Sequence, residues 1–210
     1  MLRNPNGLAY AVMTLLGVDV FLDLLLAGDE VWSLADPAAA YAATTFAGVD
    51  LALLGLASGG AYVATIVLFI IWFHRVRLNA NVWAFDLQSR TSGWAIGAWF
   101  IPLANLWIPR QIAADVWRAS RRDPYAADGA RELTLLNSWW SFWVAGAVVD
   151  RVASRMYKGA ETLDEWTTAA AWSLAGYLLT VVAGVLAILF VHRLTSMQHA
   201  KATGMLSAAG

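Results

Sequence analysis

From Leu51 to Phe73 the chain runs for 23 residues without a charged side chain. A helix of that length, at about 1.5 Å per residue, covers the hydrocarbon core of a bilayer. The chain therefore has to fold with a membrane as part of its solvent. Hydrocarbon offers no partner to backbone N–H and C=O groups, so the crossing segments must satisfy them internally. The expected fold class is all-α, an integral membrane helical bundle forming a single membrane domain over 1–210.

Composition supports this and narrows the function. Residues are 60% hydrophobic and 14% charged, against about 25% charged in an ordinary soluble domain. Twelve tryptophans suit two membrane–water interfaces, where amphipathic rings collect. A net charge of −1 gives no basic excess for nucleic acid. Cysteine is absent, which excludes disulfides, thiolate metal sites and cysteine nucleophiles. No metal site or cofactor is assigned.

Four apolar stretches have the length of spans: 8–27, 51–73, 133–157 and 166–191. The first has no clear cleavage pattern and is expected to be retained. Asp50 is placed to cap the second span. Thr162 and Glu165 have the spacing of a capping box ahead of the last. The linker 31–49, broken by Pro37, is expected to form a short interfacial helix.

The stretch 91–109 is uncharged but interrupted by Pro102, Asn105 and Pro109. Proline removes a donor and clashes one turn back, so a helix must kink or stop there. Pro109 then suits the first turn of a new helix. Over 109–122 that helix carries Ile112, Ala113, Val116, Trp117 and Ser120 on one face. Arg110, Gln111, Arg118, Arg121 and Arg122 lie largely opposite, an interfacial pattern.

Two topologies follow. If 91–109 crosses, there are five spans, and the fourteen basic residues divide seven and seven between the two sides. If it dips in and returns, there are four, and eleven of the fourteen face one side. Basic residues prefer the cytoplasmic side of short loops, which favours four spans plus a proline-broken re-entrant or interfacial helix. Both termini are then cytoplasmic.

Two polar sets stand out. Asp19 and Asp23 share a face of the first helix, and Arg151 reaches a similar depth on the 133–157 span. A carboxylate near mid-bilayer costs on the order of 3 kcal/mol on insertion scales. One reading is a proton or cation site; the other, favoured by these residue types, is a structural Asp23–Arg151 contact. The second set is His74, Arg75, Arg77, Asn79, Asn105, Arg110, Asp115 and Arg118, expected at the cytoplasmic interface. Its arginines can hold lipid phosphate or simply flank spans and snorkel. Gly55, Gly59 and Gly60 give the second span a small-residue face for packing or self-association. Metalloprotease, serine-hydrolase, P-loop and dinucleotide motifs are absent, so no catalytic residue is assigned.

The pieces His74–Ala80, Gly93–Arg110 and Asn137–Trp140, with the centre Pro102-x-x-Asn105-x-Trp107-x-Pro109, resemble an uncharacterised bacterial membrane family. It is known as domain of unknown function number 4328 and is common in actinobacteria. The resemblance covers roughly residues 51–192. It implies an integral protein of the bacterial inner membrane with the broken segment at its centre, and it carries no activity.

The leading expectation is a non-enzymatic membrane protein, either an accessory subunit or a lipid-contacting scaffold. The alternatives are a small transporter- or sensor-like protein using the Asp pair, and a membrane enzyme acting on lipid head groups. Expected partners are membrane lipids, then a membrane protein or a further copy of the chain.

Overall fold

The computed structural model describes residues 2–208, with side chains through 204. Its elements are α1 (Asn6–Ala35), α2 (Pro37–Ala42), the two-residue strands β1 (Thr45–Phe46) and β2 (Val49–Asp50), α3 (Leu51–Trp83), α4 (Trp94–Gly97), a 3-10 turn (Ala104–Leu106), α5 (Ile108–Ser120), α6 (Thr134–Gly159) and α7 (Leu163–Ala208). The chain is all-α apart from one hairpin. Among the described residues, α1, α3 and the Leu163–Gly204 part of α7 are long and apolar enough to cross a membrane.

Local chemistry sets the boundaries. Asp50 Oδ1 accepts from the Leu53 amide at 3.0 Å and starts α3. Thr162 Oγ1 accepts from the Glu165 amide at 3.2 Å, and Glu165 Oε2 accepts from the Thr162 amide at 3.1 Å, so the capping box forms. Asp36 caps α2, with Pro37 in its first turn. The hairpin was not expected. Its turn puts Ala47 (φ 49) and Gly48 (φ 78) in the left-handed region, the conformation a two-residue hairpin requires.

Three helices outrun their expected spans. α1 continues eight residues past Ala27, to Ala35. α3 continues ten residues past Phe73, and α7 starts before Trp166 and runs well past Val191. No glycine or proline follows Phe73 until Gly93, so the helix has no reason to stop where the apolar run does. By contrast no continuous helix joins Trp83 to Ile108; α4 has four residues and the 3-10 turn three.

The chain divides into two compact units, one of Met1–Thr14, Ala64–Asn137 and Ala187–Gly210, the other of Leu15–Val63 and Ser138–Leu186. The first is built on an aromatic core. Trp72, Phe73 and Phe190 are fully buried. Trp72 meets Phe190 edge-on at 6.2 Å, Trp117 stacks on Phe190 at 6.0 Å, and Trp99 packs edge-on against Phe69 and Phe73. The Trp72 indole N–H donates to Thr195 Oγ1 at 3.1 Å, which satisfies the polar handle of a buried ring. Ile112, Ala113, Val116, Trp117 and Ser120 of α5 are all buried; the amphipathic face seen in the sequence packs against protein.

The second unit packs through small residues. A Cβ on Gly184 would come within 2.6 Å of Val20 Cγ2, so α1 and α7 approach as closely as only glycine allows. Tyr157 donates to Glu30 Oε2 at 2.6 Å. Trp166 meets both Tyr41 and Tyr157 edge-on.

Candidate functional site

The broken segment is built into the first unit by α3. Buried Arg77, 2% exposed, donates to Asn81 Oδ1 and to the Arg90 carbonyl. His74 Nδ1 pairs with the Ser92 carbonyl at 3.2 Å. Trp99 lies against Phe69 and Phe73. As the segment advances from 90 to 99, its partners on α3 recede from 77 to 69, so it runs antiparallel to α3. Eight helical residues correspond to about 12 Å of travel.

The chain then turns at Leu103. Its φ of 65 and ψ of −53, with the Ala104 amide on the Pro102 carbonyl at 2.8 Å, form the rare, strained γ-turn of positive φ. α5 brings the chain back along α7. Trp117 sits at Phe190, Ser120 Oγ accepts from Gln198 Nε2 at 3.1 Å, and Lys201 Nζ donates to the Ala119 and Arg121 carbonyls. A lysine on the last carbonyls of a helix also suits its dipole.

Most of the remaining members of the expected interfacial set are also held by protein groups. Asn79 clamps the segment ahead of α1: it accepts from the Arg3 amide and donates to the Arg3 carbonyl, both at 2.8 Å. It also donates to Gln198 Oε1 at 2.9 Å. Arg75 donates to the Asn4 carbonyl at 3.1 Å. Arg110 Nε donates to Asn137 Oδ1 at 3.1 Å. Asp115 accepts from the Ser89 amide at 3.1 Å and pairs with Arg118 at 3.4 Å. Arg118 and Arg121 hold Asp128 at 2.8 and 3.1 Å. The Arg118 hydrogen bonds keep the Asp128 carboxyl below its usual range. Asn105 Oδ1, in the 3-10 turn, is buried with no hydrogen-bond partner among the described residues. These residues mostly fasten backbone to backbone, because a long polar side chain at the end of an apolar helix finds carbonyls before it finds a ligand.

Arg90 was not singled out by the sequence. Its guanidinium lies over the Trp94 ring at 5.4 Å and makes no ion pair among the described residues. Below it, Thr91, Gly93, Trp94, Gly97 and Ile101 line an open groove of about 260 Å³. The i, i+4, i+8 spacing of Gly93, Gly97 and Ile101 was the available signal.

In the second unit, Asp23 is in electrostatic reach of Asp19 and Asp150. Tyr62, hydrogen-bonded to Trp143, is in reach of all three carboxylates. No Asp23–Arg151 ion pair forms among the described residues, and Arg151 is exposed. One residue along a helix is a rotation of about 100°, and depth alone does not reveal it. No group of three or more His, Asp or Glu among the described residues could hold a metal ion.

No curated protein and no solved structure matches the chain. Residues 29–196 match the family described as Domain of unknown function (DUF4328), which extends over the α1 end, the broken segment and most of α7, and the chain belongs to that family.

Proposed function

We propose that this chain is a non-enzymatic, multi-pass membrane protein acting as a lipid-contacting scaffold. α1, α3, α6 and α7 cross the membrane, and the 91–109 segment dips in and returns. The carrying observation is the surface of that segment: Phe100 is 70% exposed, Leu103 69% and Trp107 47%. Apolar side chains so clustered stay exposed in water only at a cost; within a leaflet, acyl chains solvate them. Eleven of the fourteen basic residues belong to the same unit as this segment and the two chain ends, which supports a cytoplasmic location for that unit in a bacterial inner membrane. The fluorescence test compares wild type with Trp107→Phe in bilayers of acyl-chain-brominated lipid. Quenching that falls in the variant is expected; equal quenching in both would remove Trp107 from the lipid and overturn the reading.

A second reading rests on Asp19, Asp23 and Asp150, like charges within electrostatic reach of Tyr62. Ionisable groups at mid-span mark proton and cation paths in membrane proteins, which supports a transporter- or sensor-like role. Asp23→Asn would then abolish proton-linked uptake or signalling without loss of fold. An unchanged cellular phenotype in Asp19→Asn and Asp23→Asn would dismiss it.

A further inference from the structure

The groove below Arg90 runs in the direction a lipid lies. Arg90 sits at the level of Arg77, toward the C-terminal end of a candidate span, where basic side chains meet phosphates. From there the segment follows α3 toward the aromatic core, reaching Phe69 at Trp99. The groove floor is therefore aligned with the helix axis, with its cationic end outward and its apolar end inward. Added Cβ atoms on Gly93 or Gly97 would meet nothing within 4 Å, so these glycines leave open space and do not serve packing within the chain.

We propose that this groove holds one diacyl phospholipid of the inner leaflet, with its phosphate on Arg90 and one acyl chain along Gly93, Gly97 and Ile101. The inference rests on the lipid-contacting reading above and deepens it. Charge complementarity selects the head group: the Arg90 guanidinium has a cation–π support in Trp94 and no carboxylate partner among the described residues, and guanidinium suits phosphate geometry. Arg77, through the Arg90 carbonyl, fixes the backbone from which that side chain reaches. Continuity selects the tail. The groove opens beside exposed Phe100 and Ile101, the surface already assigned to acyl chains. The groove is open along its side, with a volume of about 260 Å³, so an acyl chain would lie in it partly enclosed and partly against its lipid neighbours.

The test is native mass spectrometry of the delipidated full-length protein in detergent, titrated with phosphatidylglycerol. Wild type is expected to retain one tightly held lipid. Gly97→Leu, which fills the channel, and Arg90→Gln, which removes the charge, are each expected to weaken that binding by about tenfold or more. Their lipid-free melting temperatures should stay close to the wild-type value, since a side chain at Gly97 meets open space and Arg90 makes no ion pair among the described residues. Wild-type affinity in both variants would overturn the site. Equal displacement by soluble glycerol 1-phosphate would also overturn it, because the groove would then recognise phosphate without a chain. Should Gly97→Leu fail to fold, Gly93→Leu and Arg90→Gln decide the question. Trp107 quenching by brominated lipid separates the two claims. If it persists while the variants bind normally, the site fails and the scaffold reading stands; if it is absent, the scaffold reading itself fails.

Discussion

Asn79 shows how far one side chain can organise this protein. Its amide presents a donor and an acceptor to Arg3 as a neighbouring backbone would, and it links the segment ahead of α1 to Gln198 on α7. Asn79→Ala would leave buried groups on both elements without partners, a loss of about 1–3 kcal/mol. A lower melting temperature in detergent is expected, with faster proteolysis ahead of α1; an unchanged melt would mean water replaces the clamp. Asp128 gives a pH-dependent contact. Its carboxyl is held below the usual range by Arg118, so the tie between α5 and the 121–132 loop is complete above the ordinary carboxylate pKa of about 4. The tie is lost as pH falls through the depressed value. Loop proteolysis should stay constant from neutral pH to about 5 and rise only below about 4; Asp128→Asn should cleave faster at neutral pH, lose the dependence, and match wild type at the acid end. These partnerships were hidden in the sequence for one physical reason. His74, Arg75, Arg77 and Asn79 were visible as a polar cluster, but the reach of a long side chain is decided by which backbone folds beside it.

At the level of elements, local rules carried most of the reading. Proline positions located the break, Asp50 and the Thr162–Glu165 box located two helix starts, and the 3.6-residue pattern identified the buried face of α5. Helix lengths were not legible, because the end of an apolar run marks where lipid stops and not where hydrogen bonding does. The missing Asp23–Arg151 ion pair has a similar origin: span depth follows from counting residues, but facing depends on rotation. The γ-turn at Leu103 is the element that reverses the broken segment. Positive φ at a non-glycine residue stores about 1–3 kcal/mol, and glycine relieves it while losing about 0.5–1 kcal/mol in chain entropy. Leu103→Gly should therefore melt within a few degrees of wild type. Leu103→Ile, branched at Cβ, should melt lower. The opposite order would show that the turn is not held at positive φ.

For the whole molecule, membrane character was evident from a single 23-residue run, and three helices long and apolar enough to cross a membrane among the described residues agree with it. The central claim is topological: the proline-broken segment enters and leaves on the side that also holds the termini. The absence of native cysteine makes this directly measurable. Ala126→Cys lies in the exposed loop after α5, and Ala38→Cys in exposed α2. Intact cells expressing each variant are treated with a membrane-impermeant maleimide, before and after permeabilisation. Labelling of position 38 in intact cells, with position 126 labelled only after permeabilisation, is the result expected of four crossings. Labelling of position 126 in intact cells would mean that the segment crosses, and would contradict the account.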